Sequence, residues 1–262
     1  MKKSLKISFV GAGNVATHLS AALHQVGHEI VGVHTRSTQS AQDFALRYNC
    51  PVAETLSDLP VSDLYIFSIK DDALTSVVEE FGRLHRTGYC LHTAGSVPMS
   101  IFEGHAEHYG VLYPLQTFSK QRELNFSDIP LFVEAASEDD LEWLSDIAGT
   151  LSKTVRPLSS ELRKQLHLAA VFACNFSNHC FAIASEILGK ADLPGELLNP
   201  LIQETCEKLH DLPAVVGQTG PAVRYDQKVM NNQIALLGDD ELRKEIYKLM
   251  SRSIHEYAMN QK

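Results

Sequence analysis

Short apolar runs ending in glycine or small polar residues alternate with stretches of helical period over the first half of the chain. Apolar side chains are nearly continuous in residues 5–13 (LKISFVGAG), and residues 14–27 (NVATHLSAALHQVG) switch to a recurrence of three and four, so a strand runs into a helix. The switch repeats at 29–36 and 37–49, where Ser or Thr stands near the helix start, again at 63–70 and 72–85, and a further strand is expected at 88–96. Residues 51–60 read as a connection with one short strand at Pro51–Ala53, and 110–118 and 129–135 add at least one strand each. Residues 137–151 form an amphipathic pattern opened by Ser and acids, a helix start. Strands alternating with helices predict βαβ units around a doubly wound parallel sheet, hence an α/β fold.

The texture changes near Arg156–Ser160, after which the period is helical throughout. Residues 161–191 run without Pro or an internal Gly until Gly189, which predicts one helix of about 45 Å at ~1.5 Å per residue. That length exceeds what a small domain needs, so an Ala-, Phe- and Leu-rich helix of this kind points to packing against a second subunit. Segments 195–212, 220–238 and 239–261 complete an all-helical part. Two domains are expected, 1–157 and 158–262.

Composition narrows the function. A net charge of −9 excludes a broad nucleic-acid surface, because binding phosphodiesters needs a basic face. Five scattered cysteines without a Cys-x-x-Cys spacing fit reduced thiols in a cytoplasmic protein. The N-terminal apolar stretch is too short for a signal peptide, and no apolar run reaches the ~18 residues of a membrane span. His24 with His28, and His105 with His108, lack a third ligand or nearby Cys, so no metal site is expected.

The strongest motif is Gly11-Ala12-Gly13-Asn14-Val15-Ala16, a G-x-G-x-x-A between a strand and a helix. Gly11 permits the turn, Gly13 admits a pyrophosphate, and Ala16 allows close helix–strand packing, the fingerprint of a Rossmann dinucleotide-binding domain. The helix start then offers free N–H groups to phosphate. The next strand ends His34-Thr35-Arg36-Ser37, with no acid to take a ribose 2′-hydroxyl. Arg36 can pair with a 2′-phosphate while Thr35 and Ser37 supply hydroxyls, so NADP is expected over NAD; the alternative is a solvated Arg. Ligands in such sheets lie outside the carboxyl ends of the strands. Ser68, Ile69 and Lys70, and His92, Thr93 and Ala94 in the segment running to Ser96, are therefore expected at the cofactor and reaction centre; Lys70 and Asp71 could equally cap a helix at the surface.

With TRS, SIKDDAL, HTAGS, YPLQTF, HLAAVFACN and TGPAVRYD on nearly the whole chain, the sequence resembles a family of bacterial Rossmann-like NADP oxidoreductases with a helical C-terminal domain of unknown function. The N-terminal half is similar to pyrroline-5-carboxylate reductase, β-hydroxyacid dehydrogenases and the deazaflavin-dependent NADP oxidoreductase. The resemblance implies a helical domain like that of 6-phosphogluconate dehydrogenase, a homodimer and an active site between domains. It also marks departures. Where β-hydroxyacid dehydrogenases carry Lys and Asn four residues apart, this chain has His167, with Asn175 eight residues on and Lys164 three before.

On an ideal helix at ~100° per residue, His167, Cys174 and Asn178 align, with Asn175 about 80° away. His167 suits a proton donor because its ordinary pKa lies near neutrality, and Asn175 suits a substrate-orienting group; both could instead be satisfied packing residues. Arg224 could grip a substrate carboxylate or pair structurally with Asp226 or Glu204. Tyr113 and Gln116 could reach the same cleft or serve as framework. The expected function is hydride transfer between NADP(H) and a small carbonyl or imine compound. A non-catalytic NADP(H) sensor or partner-binding module, and a deazaflavin reductase, are the alternatives.

Overall fold

The computed structural model describes residues 4–260. Seven strands form one sheet in the order β2-β1-β3-β4-β5-β6-β7, from β1 (Lys6–Val10), β2 (Glu29–His34), β3 (Leu64–Phe67), β4 (Tyr89–His92), β5 (Tyr109–Pro114), β6 (Leu131–Ala135) and β7 (Val155–Pro157). The first five are mutually parallel, joined through α1 (Asn14–Gln25), α2 (Thr38–Tyr48) and α3 (Asp71–Gly82). The α/β Rossmann class expected from the alternation is present.

Two details differ. β6 runs antiparallel to β5, because the connecting residues 115–130 hold only a short 3-10 turn and no helix to carry the chain back for a parallel crossover. The expected strand at Pro51–Ala53 is a single bridge, Val33 to Val52. β7, absent from the sequence reading, pairs parallel with β6 after α4 (Glu138–Leu151), which Ser137 caps by accepting from Asp140 N.

The sheet is buried on both faces, so its strands alternate between two cores. Leu64 and Ile66 pack with α1 and α4, whereas Tyr65 and Phe67 pack with α3 and the turn at Phe102. Such apolar continuity is what parallel strands covered by helices require.

From Ser160 a continuous helix runs to Gly189, built of α5 (Ser160–Ala170), a π-helical stretch at Val171–Phe176 and α6 (Ser177–Gly189). The π stretch corrects the expected helical alignment of His167, Cys174 and Asn178, because i→i+5 bonding shifts the phase of everything beyond it. By length and mean hydropathy (1.3) this helix also passes as a membrane span, with none of that window buried. Its start, however, is locked to the sheet. Arg163, 1% exposed, pairs with Glu134 of β6 and donates to the Val97 carbonyl at 2.5 Å. Ser160 donates through N and Oγ to the same carboxylate at 2.9 and 2.8 Å, and its Oγ accepts from Met99 N at 3.0 Å.

The chain divides into two compact units after His179. The second holds α7 (Asn199–Asp211), α8 (Pro221–Arg224), α9 (Gln227–Ala235) and α10 (Glu241–Met259); the expected end of the last segment at Gln261 lies outside the described residues. Among its described residues only Ala222, Met230 and Ser251 are buried. Leu201, Leu236 and Leu242 stand 64%, 86% and 68% exposed.

Removing one member of a buried ion pair leaves the other charge uncompensated. Arg163→Ala should therefore lower the unfolding free energy by about 3–5 kcal/mol in urea titration, and adding Glu134→Leu should restore part of that loss.

Candidate functional site

β1 lies between β2 and β3, so successive crossovers leave it in opposite directions and open a crevice at the carboxyl ends of β1 and β3. A cavity of about 980 Å³ occupies that position. Its floor is the glycine turn. Gly11 adopts φ +106, and a Cβ there would meet the Ser68 carbonyl oxygen at 2.2 Å, while its N–H donates to the His34 carbonyl at 2.7 Å. A Cβ on Gly13 would meet nothing within 4 Å, so the groove is open where a pyrophosphate would approach. Gly13 is the N-cap of α1 with no side-chain cap, which leaves the helix N–H groups of that turn to a ligand.

Of the expected cofactor residues, Gly11, Ala12, Gly13, Asn14, Val15, Thr35, Arg36, Ser68, Ile69, Lys70, Thr93 and Ala94 line this cavity. Asn14 contributes through its backbone, since its amide Nδ2 donates to the Phe118 carbonyl at 2.8 Å. Ser37 is outside the lining and caps α2, accepting from Ser40 N at 3.4 Å. His92 is also outside it. Its ring is fully buried, stacked on Phe102 at 5.8 Å, and its Nδ1 accepts from Ala94 N at 3.2 Å, so it holds the loop backbone from behind.

The two strand ends are cross-tied. Thr93 Oγ1 donates to Ser68 Oγ at 3.2 Å, and Ser96 Oγ donates to an Asp71 carboxylate oxygen. Lys70 is the N-cap position of α3, with Asp71 and Asp72 in its first turn, where acids suit the helix dipole.

At the end of the cavity away from Arg36, three groups converge. His167 of α5 lies one turn beyond the anchored Arg163, its Nδ1 is 3.0 Å from the Tyr113 hydroxyl, and its ring lies over Gly95. Gln116 lines the same wall. Burial raises the Tyr113 hydroxyl above its ordinary pKa of 10, the Arg163 charge opposes this, and Asp71 adds to it. Asn175 is exposed on the π stretch and outside the cavity lining; Arg224 is exposed at the end of α8 in the second unit. The described residues contain no cluster of three or more His, Cys, Asp or Glu suited to a metal.

The groove fits a dinucleotide. It is open at Gly13, closed to side chains at Gly11, and has a guanidinium at one end and a protonatable pair at the other.

The residues missed from sequence are Arg163 and Glu134; Gly95 lines the cavity within the segment expected there, and its part in making room for His167 is what the structure adds. An acid within the apolar strand 129–135 was the available signal, since a carboxylate on a covered strand needs a partner. Arg163 lies 29 residues from Glu134, so no local pattern pairs them.

Residues 1–116 match a Rossmann-like domain, and residues 129–254 match a domain of unknown function, DUF2520. A solved structure of a "putative NADP oxidoreductase" from Bacteroides fragilis is 46% identical, with a TM-score of 0.90 over 97% of this chain and 98% of that one. An imine reductase from Myxococcus stipitatus in complex with NADP+ shares the fold at 16% identity and a TM-score of 0.68, covering 97% and 94%. A 1-pyrroline-5-carboxylate reductase from Streptococcus pyogenes does so at 14% identity and 0.61, covering 97% and 99%. None of the curated proteins matches the sequence.

The buried His92 has a measurable consequence. Burial first, then the Arg163 charge, push its pKa from 6.5 down to about 3. Below pH 6.5 the unfolded chain binds a proton that the folded chain refuses until about pH 3, so stability falls with pH across that window. At most about 1.4 kcal/mol per pH unit is lost. Urea midpoints between pH 6.5 and 4.5 should fall more steeply in the wild type than in His92→Gln, and parallel slopes would show that His92 is not the group responsible.

Proposed function

The chain belongs to the family that joins a Rossmann-like domain to the DUF2520 domain, and from that premise we propose that it is an NADP-dependent oxidoreductase acting on a small carbonyl or imine compound. The observation that carries this reading is one continuous cavity with Arg36 at its second-strand end, the open Gly13 turn in its floor and His167 with Tyr113 at the far wall. When bound, the nicotinamide would supply or accept a hydride.

The chain's own groups divide the remaining work. The backbone from Gly11 to Val15 would hold the pyrophosphate at the start of α1. Arg36, exposed where it lines the groove, would meet the 2′-phosphate, assisted by Thr35. Ser37 acts through its capping of α2, whose first N–H groups lie at the same place. Ser68, Ile69, Lys70, Thr93 and Ala94 would flank the nicotinamide ribose and ring. His92 supports that loop. His167, hydrogen-bonded to the Tyr113 hydroxyl in the cavity wall, would act as the proton donor to the substrate. Asn175 and Arg224 belong to the proposal on chemistry alone, an amide and a guanidinium suited to a polar or carboxylate-bearing substrate.

We assign residues 1–157 to cofactor binding and 158–262 to substrate binding and dimerisation, and the cytoplasm as the compartment, on the scatter of its free thiols. A second copy of the chain is the proposed cover for the apolar helical surface. Phe172 and Phe176 are 63% and 51% exposed, and continuous apolar faces of this extent mark interfaces.

Two outcomes are expected. Arg36→Ala should weaken NADPH binding by roughly 10- to 100-fold while NADH changes little, the range of one charge-assisted guanidinium contact; fluorescence titration with both nucleotides checks this, and equal losses refute the 2′-phosphate role. In sedimentation the wild-type chain of 29.0 kDa should run at twice that mass, and Phe176→Asp with Leu201→Asp should shift it to the monomer.

A further inference from the structure

We propose that Tyr113 and His167 form one proton-transfer unit, with the tyrosine hydroxyl as the outlet to the substrate and the imidazole as its reserve. This rests on the reading of the cavity as a reductase site. Three observations converge on it. The hydroxyl and Nδ1 lie 3.0 Å apart, within hydrogen-bond range, and the rings meet nearly edge-on at 77°. Both side chains line the same cavity, the tyrosine nearly buried and the histidine half-buried. The imidazole has its place because position 95 lacks a side chain. A Cβ there would stand 2.6 Å from His167 Nδ1, 2.7 Å from Cγ and 3.0 Å from Cβ, so the whole ring would have to leave.

Each partner is also fixed independently of the other. Tyr113 belongs to β5, an interior strand held between β4 and β6. His167 follows Arg163 by one helical turn on the same face, and Arg163 is bound to Glu134 and Val97. The pair is therefore held by the sheet on one side and by the buried ion pair on the other.

The step balances as follows. His167, protonated on both nitrogens, donates Nδ1–H to the Tyr113 oxygen, and the Tyr113 O–H faces the cavity. As a C=N or C=O carbon gains a hydride, its π electrons move to the heteroatom, which takes the Tyr113 proton. The Nδ1 proton passes to the tyrosine oxygen, leaving a neutral imidazole with its proton on Nε2. A proton from water then restores the charge. Arg163 on α5 and Asp71 at the start of α3 bear electrostatically on the Tyr113 hydroxyl, and Arg163 is itself paired with Glu134 on β6 and bears on His92 on β4.

The test begins with the ligand-free protein. Imidazole nitrogen and ring-proton NMR signals of His167 are followed against pH in the wild type, Tyr113→Phe, Gly95→Ala and Arg36→Ala. The titration midpoint should move by about half a pH unit or more in the first two variants, as loss of a specific hydrogen bond to one protonation state requires, and stay in place in Arg36→Ala. Gly95→Ala is the informative variant because it separates the two groups while keeping both. A midpoint that is the same in all four proteins overturns the pairing. With NADPH and any imine or keto compound that the wild type reduces, Tyr113→Phe should lower kcat about a hundredfold with NADPH affinity retained and the high-pH limb displaced. Unchanged kcat overturns delivery through Tyr113. A wild type that does not bind NADPH overturns the reductase reading instead, and with it the delivery step, while the pairing is still decided by the ligand-free spectra.

Discussion

A guanidinium and a carboxylate held out of water decide where the long helix starts and how it is turned. Arg163 and Glu134 cost desolvation energy that only close pairing offsets. The pairing recruits Ser160, Val97 and Met99, so β6, the loop after β4 and the first turn of α5 become one rigid body. Everything at the Tyr113 end of the cavity inherits that geometry. His167 is presented one turn later, Gly95 leaves room for its ring, and Tyr113 meets it from the sheet. The same positive charge bears on Tyr113 and His92, in one case opposing the effect of burial and in the other adding to it.

The opposite end of the cavity rests on backbone alone. Gly11 and Gly13 do different things there, one accommodating a carbonyl that no Cβ could tolerate, the other simply leaving space. A side chain at position 11 would break the packing of β1 against β3, whereas one at position 13 would leave the fold intact and fill the groove. Arg36, by contrast, lines the cavity with an exposed side chain and no part in either core.

Much of this was legible in the sequence because it is local. Glycines between a strand and a helix, apolar runs of four or five residues and Ser137 before a run of acids all act within a few positions of themselves, so β1 to β4, α1 and α4 follow from pattern. Features that depend on pairing across the chain were hidden. β7 is three residues ending in Pro157 and has no period to detect. β6 is apolar in either direction, and only the missing crossover helix makes it antiparallel. The candidate site divides the same way. The glycine turn, Thr35, Arg36 and the ends of β3 and β4 came from local motifs, whereas Ser37 and His92 were placed among cofactor residues and lie just behind the lining. Asn175 was phased on an ideal helix, and the π stretch at Val171–Phe176 rotates it elsewhere. Arg163 carries no local signal, because its partner Glu134 is 29 residues away.

The amide of Asn14 donates to the Phe118 carbonyl, and His18 Nε2 contacts the Ser119 carbonyl at 3.0 Å. The first turn of α1 and the loop after β5 are thus one mechanical element. Binding free energy at the helix start would therefore be shared with that loop by linkage, so a nucleotide that steadies α1 should also slow amide exchange through 115–119. The YPLQTF segment then reports on occupancy of a groove most of whose walls it does not form.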